Sequence, residues 1–195
     1  MQHYQKLNTF SVPPNFRGKS GAIVQLWWIV EALLFNPSPQ ILYGWRRFLL
    51  RLFGAKIGKG VIIRPSVKTT YPWKVSIGDH SWIGDDVVLY SLGEINIGNN
   101  TVISQKSYLC TGSHDFEKTT FDIFAKEIIV EDEAWIASDV FIGPGVTVGK
   151  GAVVGARSSV FKDIEGGYVY AGNPLRKIKN RIKSLTEQVK AVTNG

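Results

Sequence analysis

An aliphatic residue recurs every sixth position through most of this chain, and few folds are compatible with that period. Ile57 and Ile63 form the first run, Ile77, Ile83 and Leu89 the second, and Ile97, Ile103 and Leu109 the third. Val130, Ile136, Ile142, Val148, Val154 and Val160 form the longest. The next residue is usually small, as at Gly58, Gly78, Gly84, Gly98, Ala137, Gly143, Gly149 and Gly155. Four positions after an aliphatic comes another compact residue, such as Val87, Thr101, Ser107, Ala134, Val140, Val146, Ala152 or Ser158. A helix repeats at 3.6 and a half-buried strand at two, so neither alone gives six. A short strand plus a tight corner does, with the aliphatic turned inward and glycine accommodating the corner. The turns of a glycine-rich sandwich are not phased at six. One coil cannot bury its own aliphatics, so coils must stack around a continuous column. The sequence therefore predicts an all-β solenoid, a parallel β-helix.

The phase also breaks. Ile63 and Ile77 lie fourteen positions apart, Leu89 and Ile97 eight, and Leu109 and Val130 twenty-one. A segment around residues 115–129 is expected to leave the helix as a loop, and long excursions from a rigid scaffold commonly carry function. The expected organisation is an N-terminal helical segment at 1–55, the β-helix at 56–165 and a C-terminal extension with a helix at 166–195.

Residues 20–53 read as two apolar helices separated by Asn36-Pro37-Ser38-Pro39. The first stretch is too short and too interrupted, by Gln25 and Glu31, to span a membrane. The second places Arg46, Arg47 and Arg51 beside Trp45, Phe48, Leu49, Leu50, Leu52 and Phe53. Such helices either cap the open end of the solenoid or lie on a membrane surface, and the two roles are compatible. At the other end, Leu175, Ile178, Ile182, Leu185, Val189 and Val192 are spaced by three and four, which predicts an amphipathic helix. Its polar face holds Arg176, Lys177, Lys179, Arg181 and Lys183.

The net charge of +7 suits nucleic acid, an anionic membrane or a phosphate-bearing small molecule. No groove-entering element or stacking platform is visible, which argues against nucleic acid. One cysteine, Cys110, excludes an intrachain disulfide framework, and the first residues lack the apolar core of a secretory signal. The expected location is cytoplasmic, with a peripheral contact at the inner leaflet open. Of the three histidines, His3 sits in a tail and His80 inside a regular hexad, too few for a three-imidazole metal site. No metal is expected. His114 closes the hexad LCTGSH where the chain leaves the coil, and imidazole accepts a hydroxyl proton at neutral pH. Asp115 either orients that ring or caps the loop.

The hexads together with CTGSHD resemble the left-handed β-helix acyltransferases of the galactoside, maltose and nodulation acetyltransferase group. FSVPPNFRG, VQLWW, FLLRLFGAKIGK, IRPSVKTTYPWK, ISQKSYLCTGSHD and VVGARSSVFK are similar to the colanic acid biosynthesis acetyltransferases, so the resemblance covers almost the whole chain. It implies a left-handed β-helix that assembles as a homotrimer, with acetyl-CoA as donor in a groove between neighbouring subunits. It implies His114 as the base for direct attack of a hydroxyl on the thioester, without an acyl-enzyme. It further implies pantetheine contacts at Ser138 and Ala156, nucleotide and phosphate contacts at Lys162, Arg176 and Lys179, and a site tryptophan at Trp135, for which core packing is the alternative. The galactoside enzymes place an asparagine near the acceptor; the matching region here, WIGDDVVLYSLG, offers Asp85, with Asp86 as its rival. The acceptor implied is a sugar or lipid-linked glycan precursor of an exopolysaccharide. Two alternatives stay open: N-acylation of an amino-sugar nucleotide, and a non-catalytic β-helix used for assembly.

Overall fold

The computed structural model describes residues 3–182. Five triangular coils stack as the hexads require. Coil one is β1 (Lys56–Ile57), β2 (Ile62–Ile63) and β3 (Lys68–Thr69); coil two is β4 (Val75–Ile77), β5 (Trp82–Ile83) and β6 (Val88–Tyr90). Coil three is β7 (Ile95–Ile97), β8 (Val102–Ile103) and β9 (Tyr108–Cys110), after which a hairpin, β10 (Gly112–His114) and β11 (Ile123–Ala125), projects away. Coil four is β12 (Ile128–Val130), β13 (Trp135–Ile136) and β14 (Phe141–Ile142), and coil five β15 (Thr147–Val148), β16 (Val153–Val154) and β17 (Ser159–Val160). Each strand pairs in parallel with its equivalent one coil away, giving three flat faces: β1-β4-β7-β12-β15, the run from β2 through β5, β8 and β13 to β16, and β3-β6-β9-β14-β17.

The sixth-position aliphatics fill the column between the faces, all of them fully or almost fully buried. The small residue after each is enforced by the coil above. A Cβ built on Gly78 would lie 2.6 Å from the carbonyl carbon of Gly98, and one on Gly84 2.7 Å from the Gln105 nitrogen. Thr69 continues the first run in the core, which restores the register: the extra two residues fall after it, in the turn Pro72–Lys74.

The N-terminal helices are α1 (Gly21–Val30), running into a π turn at Glu31–Phe35, and α2 (Tyr43–Leu52). They close the first coil. In coil two, the carbonyls of Ile77, Ser81, Ile83 and Leu89 accept from coil one. Their coil-one equivalents have no preceding coil, and side chains serve them instead. Arg51 donates to Ile57 O at 2.6 Å, Arg47 to Val61 O at 2.7 Å, Arg46 to Ile63 O at 2.7 Å and the Trp27 indole to Thr69 O at 2.7 Å. The arginines of α2 thus point inward as caps on an open sheet edge. Among the described residues, no helix is long and apolar enough to cross a membrane.

The C-terminal extension departs from the expected helix. β18 (Tyr168–Ala171) joins the second face beside β16, and β19 (Arg176–Asn180) folds back antiparallel on it. An unpaired β18 edge would expose its backbone groups, and pairing with Arg176–Asn180 satisfies them; this outweighs the helical spacing of Leu175, Ile178 and Ile182. Leu185, Val189 and Val192 lie outside the described residues. The expected loop at 115–129 is a hairpin that starts earlier, at Gly112, and rejoins the stack at Ile128.

Candidate active site

All three phase breaks fall on one corner of the prism, between the third and first faces. Tyr71 and Leu92, from the breaks in coils one and two, pack there with Val24 of α1, and Phe16, Trp73, Ile123 and Ala125 close around them. This cluster is the seat of the coil-three hairpin: a Cβ on Gly112 would lie 2.6 Å from Leu92 Cδ1. The N-terminal segment runs along the same corner. The Lys6 N–H donates to Thr119 O at 2.7 Å, and Phe16 O and Arg17 O accept from Lys74 Nζ at 2.8 Å and the Trp73 indole at 2.7 Å. Burial pushes the Lys74 ammonium pKa down.

His114 ends β10, opposite Ile123, and is half-buried. Its Nδ1 lies 2.8 Å from Phe121 O. A carbonyl oxygen only accepts, so Nδ1 carries the proton and donates, and the lone pair of the neutral ring sits on Nε2. The Phe121 ring stacks on the imidazole at 4.2 Å and 8°, and Phe10 leans on it at 5.8 Å. Phe121 holds φ at 54°, a left-handed conformation costly for a bulky side chain. Asp115 does not orient the ring. It accepts from the Glu117 N–H at 3.2 Å and pairs with Lys118 at 3.5 Å, so it caps the loop.

Asp85 and Asp86 of coil two, Ser138 of coil four and Ala156 of coil five are strung along a different corner, between the second and third faces. Backbone bonds stack that column: Lys106 N to Asp85 O at 2.8 Å, Asp139 N to Gln105 O at 2.9 Å, and Arg157 N to Ser138 O at 3.0 Å. The Asp85 carboxylate accepts from Arg64 Nε at 2.9 Å and Ser66 Oγ at 3.3 Å, whereas Asp86 is exposed and its N–H donates to Ser66 Oγ at 2.8 Å. Trp135 is not in the core, where Ile136 sits instead; it is 45% exposed on the second face and donates to Ser104 Oγ at 3.0 Å. Lys162 lines a groove of about 640 Å³ at the last coil with Tyr170, Asn173, Leu175 and Lys177. Arg176 and Lys179 are exposed on β19, outside that lining.

His114 stands apart from the Asp85–Ala156 column. The two corners lie at opposite ends of the third face, about six residues at roughly 3.3 Å each, or some 20 Å.

No protein-family model matches the chain. It is 60% identical over 180 residues to WcaF of Escherichia coli (strain K12), named as a colanic acid biosynthesis acetyltransferase, a match spanning 92% of this chain and 99% of that one. The chain belongs to the hexapeptide-repeat acetyltransferases. Two solved members of that fold superpose closely. One is a maltose O-acetyltransferase from Clostridium difficile, with TM-score 0.77 and 25% identity over 84% of this chain and 90% of that one. The other is a hexapeptide-repeat acetyltransferase from Vibrio cholerae complexed with acetyl coenzyme A, with TM-score 0.76 and 26% identity over 85% and 92%. The stack is thus the left-handed β-helix of this acetyltransferase family.

In this acetyltransferase Cys110 lies next to Tyr90 with its thiol donating to Gly112 O at 3.2 Å, and burial pushes its pKa up. A thiol held protonated is a poor nucleophile. Phe121 and Phe10 are contacts that hexad spacing does not reveal, because one sits inside the hairpin tip and the other in a segment without period.

Proposed function

We propose that the enzyme moves the acetyl group of acetyl-CoA to a hydroxyl of a sugar in an exopolysaccharide or cell-surface glycan precursor, with His114 as general base. The observation that carries this reading is the Nδ1–H bond from His114 to Phe121 O, which leaves Nε2 as the basic nitrogen at the tip of a rigid ring. Nε2 takes the acceptor hydroxyl proton as the oxygen bonds to the thioester carbonyl carbon. The tetrahedral adduct collapses, the carbon–sulfur bond breaks, and the imidazolium returns the proton to the leaving thiolate. The poor nucleophilicity of Cys110 favours this direct route over an acyl-enzyme.

Ser138 and Ala156 leave a low ridge where a pantetheine arm can lie, and Lys162, Arg176 and Lys179 supply cations for its phosphates. Trp135 would flank that arm. Asp86, with its exposed carboxylate, suits acceptor hydroxyls better than Asp85, whose oxygens already serve Arg64 and Ser66. The separation of His114 from this column supports a homotrimer with sites between subunits. A second copy can dock its His114 corner on the first copy's Asp85–Ala156 corner, and a three-sided prism repeating that contact closes as a ring. A cytoplasmic location belongs to the same proposal.

Incubation with acetyl-CoA and a panel of hydroxyl and amine sugars, read by mass spectrometry, tests the reading; transfer confined to amines would overturn it. Mixing inactive Ala156→Trp protomers with inactive His114→Ala protomers under subunit exchange should restore part of the activity, because some sites then combine two intact corners. No recovery among exchanged trimers would contradict a shared site. Cys110→Ala is expected to keep turnover within about threefold of the parent, and loss of turnover would restore the acyl-enzyme.

A further inference from the structure

We propose that the outward face of α1, the π turn and α2 docks on the surface of an anionic lipid bilayer. This surface takes no part in the reaction proposed above.

An ordinary surface helix turns its charges to water, and α2 instead buries Arg46, half-buries Arg47 and lays Arg51 along the first coil. Arg46, Arg47 and Arg51 are spent on the carbonyls of the first coil. The opposite face carries Trp45, Phe48 and Leu52 at spacings of three and four, with Leu52 65% exposed, and Ile41, 81% exposed, stands just before the helix. The α1–π stretch repeats the pattern. Val24, Trp27 and Phe35 face the coil, while Ile23, Leu26, Ile29 and Leu33 face outward, Leu33 68% exposed. A stretch that is apolar all round belongs in a core or in lipid.

The two stripes form one patch. The Trp45 indole donates to Leu34 O at 2.9 Å, joining them at one end, and Ile23, Leu26 and Leu52 line a common groove at the other. Contiguous apolar surface on this scale marks an interaction site. Charge selects the occupant. Lys19 lines that groove, Lys56 lines another with Arg51 of α2, and Arg17 is exposed just before α1. Glu94 is an exposed carboxylate at the groove, outnumbered by these cations, and the carboxylate of Glu31 is turned inward to the Thr69 N–H at 2.7 Å. A second copy would bring like-charged rims together, whereas an anionic headgroup layer neutralises them. With no helix among the described residues long enough to span, the contact is shallow, as for an interfacial helix.

Flotation of the full chain with phosphatidylcholine vesicles, with and without phosphatidylglycerol, tests this. The protein should float with the anionic vesicles at low salt and much less at high salt. The double variant Phe48→Glu, Leu52→Glu should lose binding by about tenfold or more while keeping its melting temperature, since both side chains are exposed. As a second probe of the rim, Lys19→Glu with Lys56→Glu should weaken anionic binding at low salt and reduce its salt dependence. No flotation of the parent chain, equal flotation of Phe48→Glu, Leu52→Glu, or a concentration-dependent self-association abolished by that variant would each overturn the proposal.

Discussion

Replacing His114 with alanine is expected to lower acetyl transfer by roughly two to four orders of magnitude, the weight of a positioned general base. That corresponds to about 3–5 kcal/mol of transition-state stabilisation. The loss should appear in kcat while the KM for acetyl-CoA stays near its parent value, because the candidate donor positions lie on another corner and the last coil. The fold should survive. The hairpin loses the bond and ring stack to Phe121 at its tip but keeps the pairing of Gly112–His114 with Ile123–Ala125, the Lys6–Thr119 bond and the Tyr71–Leu92 cluster. Steady-state kinetics with matched melting curves separate these outcomes. Turnover within about tenfold of the parent, in a variant that still binds donor, would remove His114 from the chemistry.

That His114 lay where the repeat fails was legible in the sequence; why it is held there was not. The spacing of fourteen between Ile63 and Ile77 looks like a gap in the pattern. In the structure it is a normal hexad ending on Thr69 plus a two-residue corner, hidden because the core residue is a threonine. The corners after Thr69 and Leu89 then donate Tyr71 and Leu92 to the cluster beneath the hairpin. Stacking of coils, which no window of sequence displays, sets these irregularities one above another. Phe121 is invisible for a related reason: its role rests on a backbone carbonyl and a left-handed φ. At the C-terminus the spacing of three and four misled, because it reports only which side chains are apolar and not that β18 presents an edge in need of a partner.

The sequence left α2 open between a cap on the solenoid and a membrane contact; its arginines serve as the cap, and the largest stability effect follows from that placement. Arg46 is fully buried, yet among the described residues no carboxylate pairs with it. It donates to Ile63 O at 2.7 Å, Ser38 Oγ and Pro39 O at 2.9 Å and Gln40 O at 2.6 Å, and it lies over the Tyr43 ring. Burial draws its pKa down, but a guanidinium stays charged, so its desolvation is offset by these acceptors alone. Arg46→Ala therefore strands the buried Ile63 carbonyl, removes the partner of three part-buried acceptors and opens a cavity between α2 and coil one. The expected loss is about 3–5 kcal/mol, or roughly 10 °C in melting temperature. Arg46→Lys should recover only a minor part, since one ammonium cannot reach acceptors spread around a planar fork. A solenoid transmits stability between neighbouring coils, so amide exchange in Arg46→Ala should accelerate first at Ile62 and Arg64 and least in coils four and five. Ile142→Ala, of comparable cost in the central column, should instead loosen coils three to five. If Arg46→Ala melted within about two degrees of the parent, the carbonyls of the first coil would need no arginine cap, and α2 would owe its inward charges to something other than the open edge it covers.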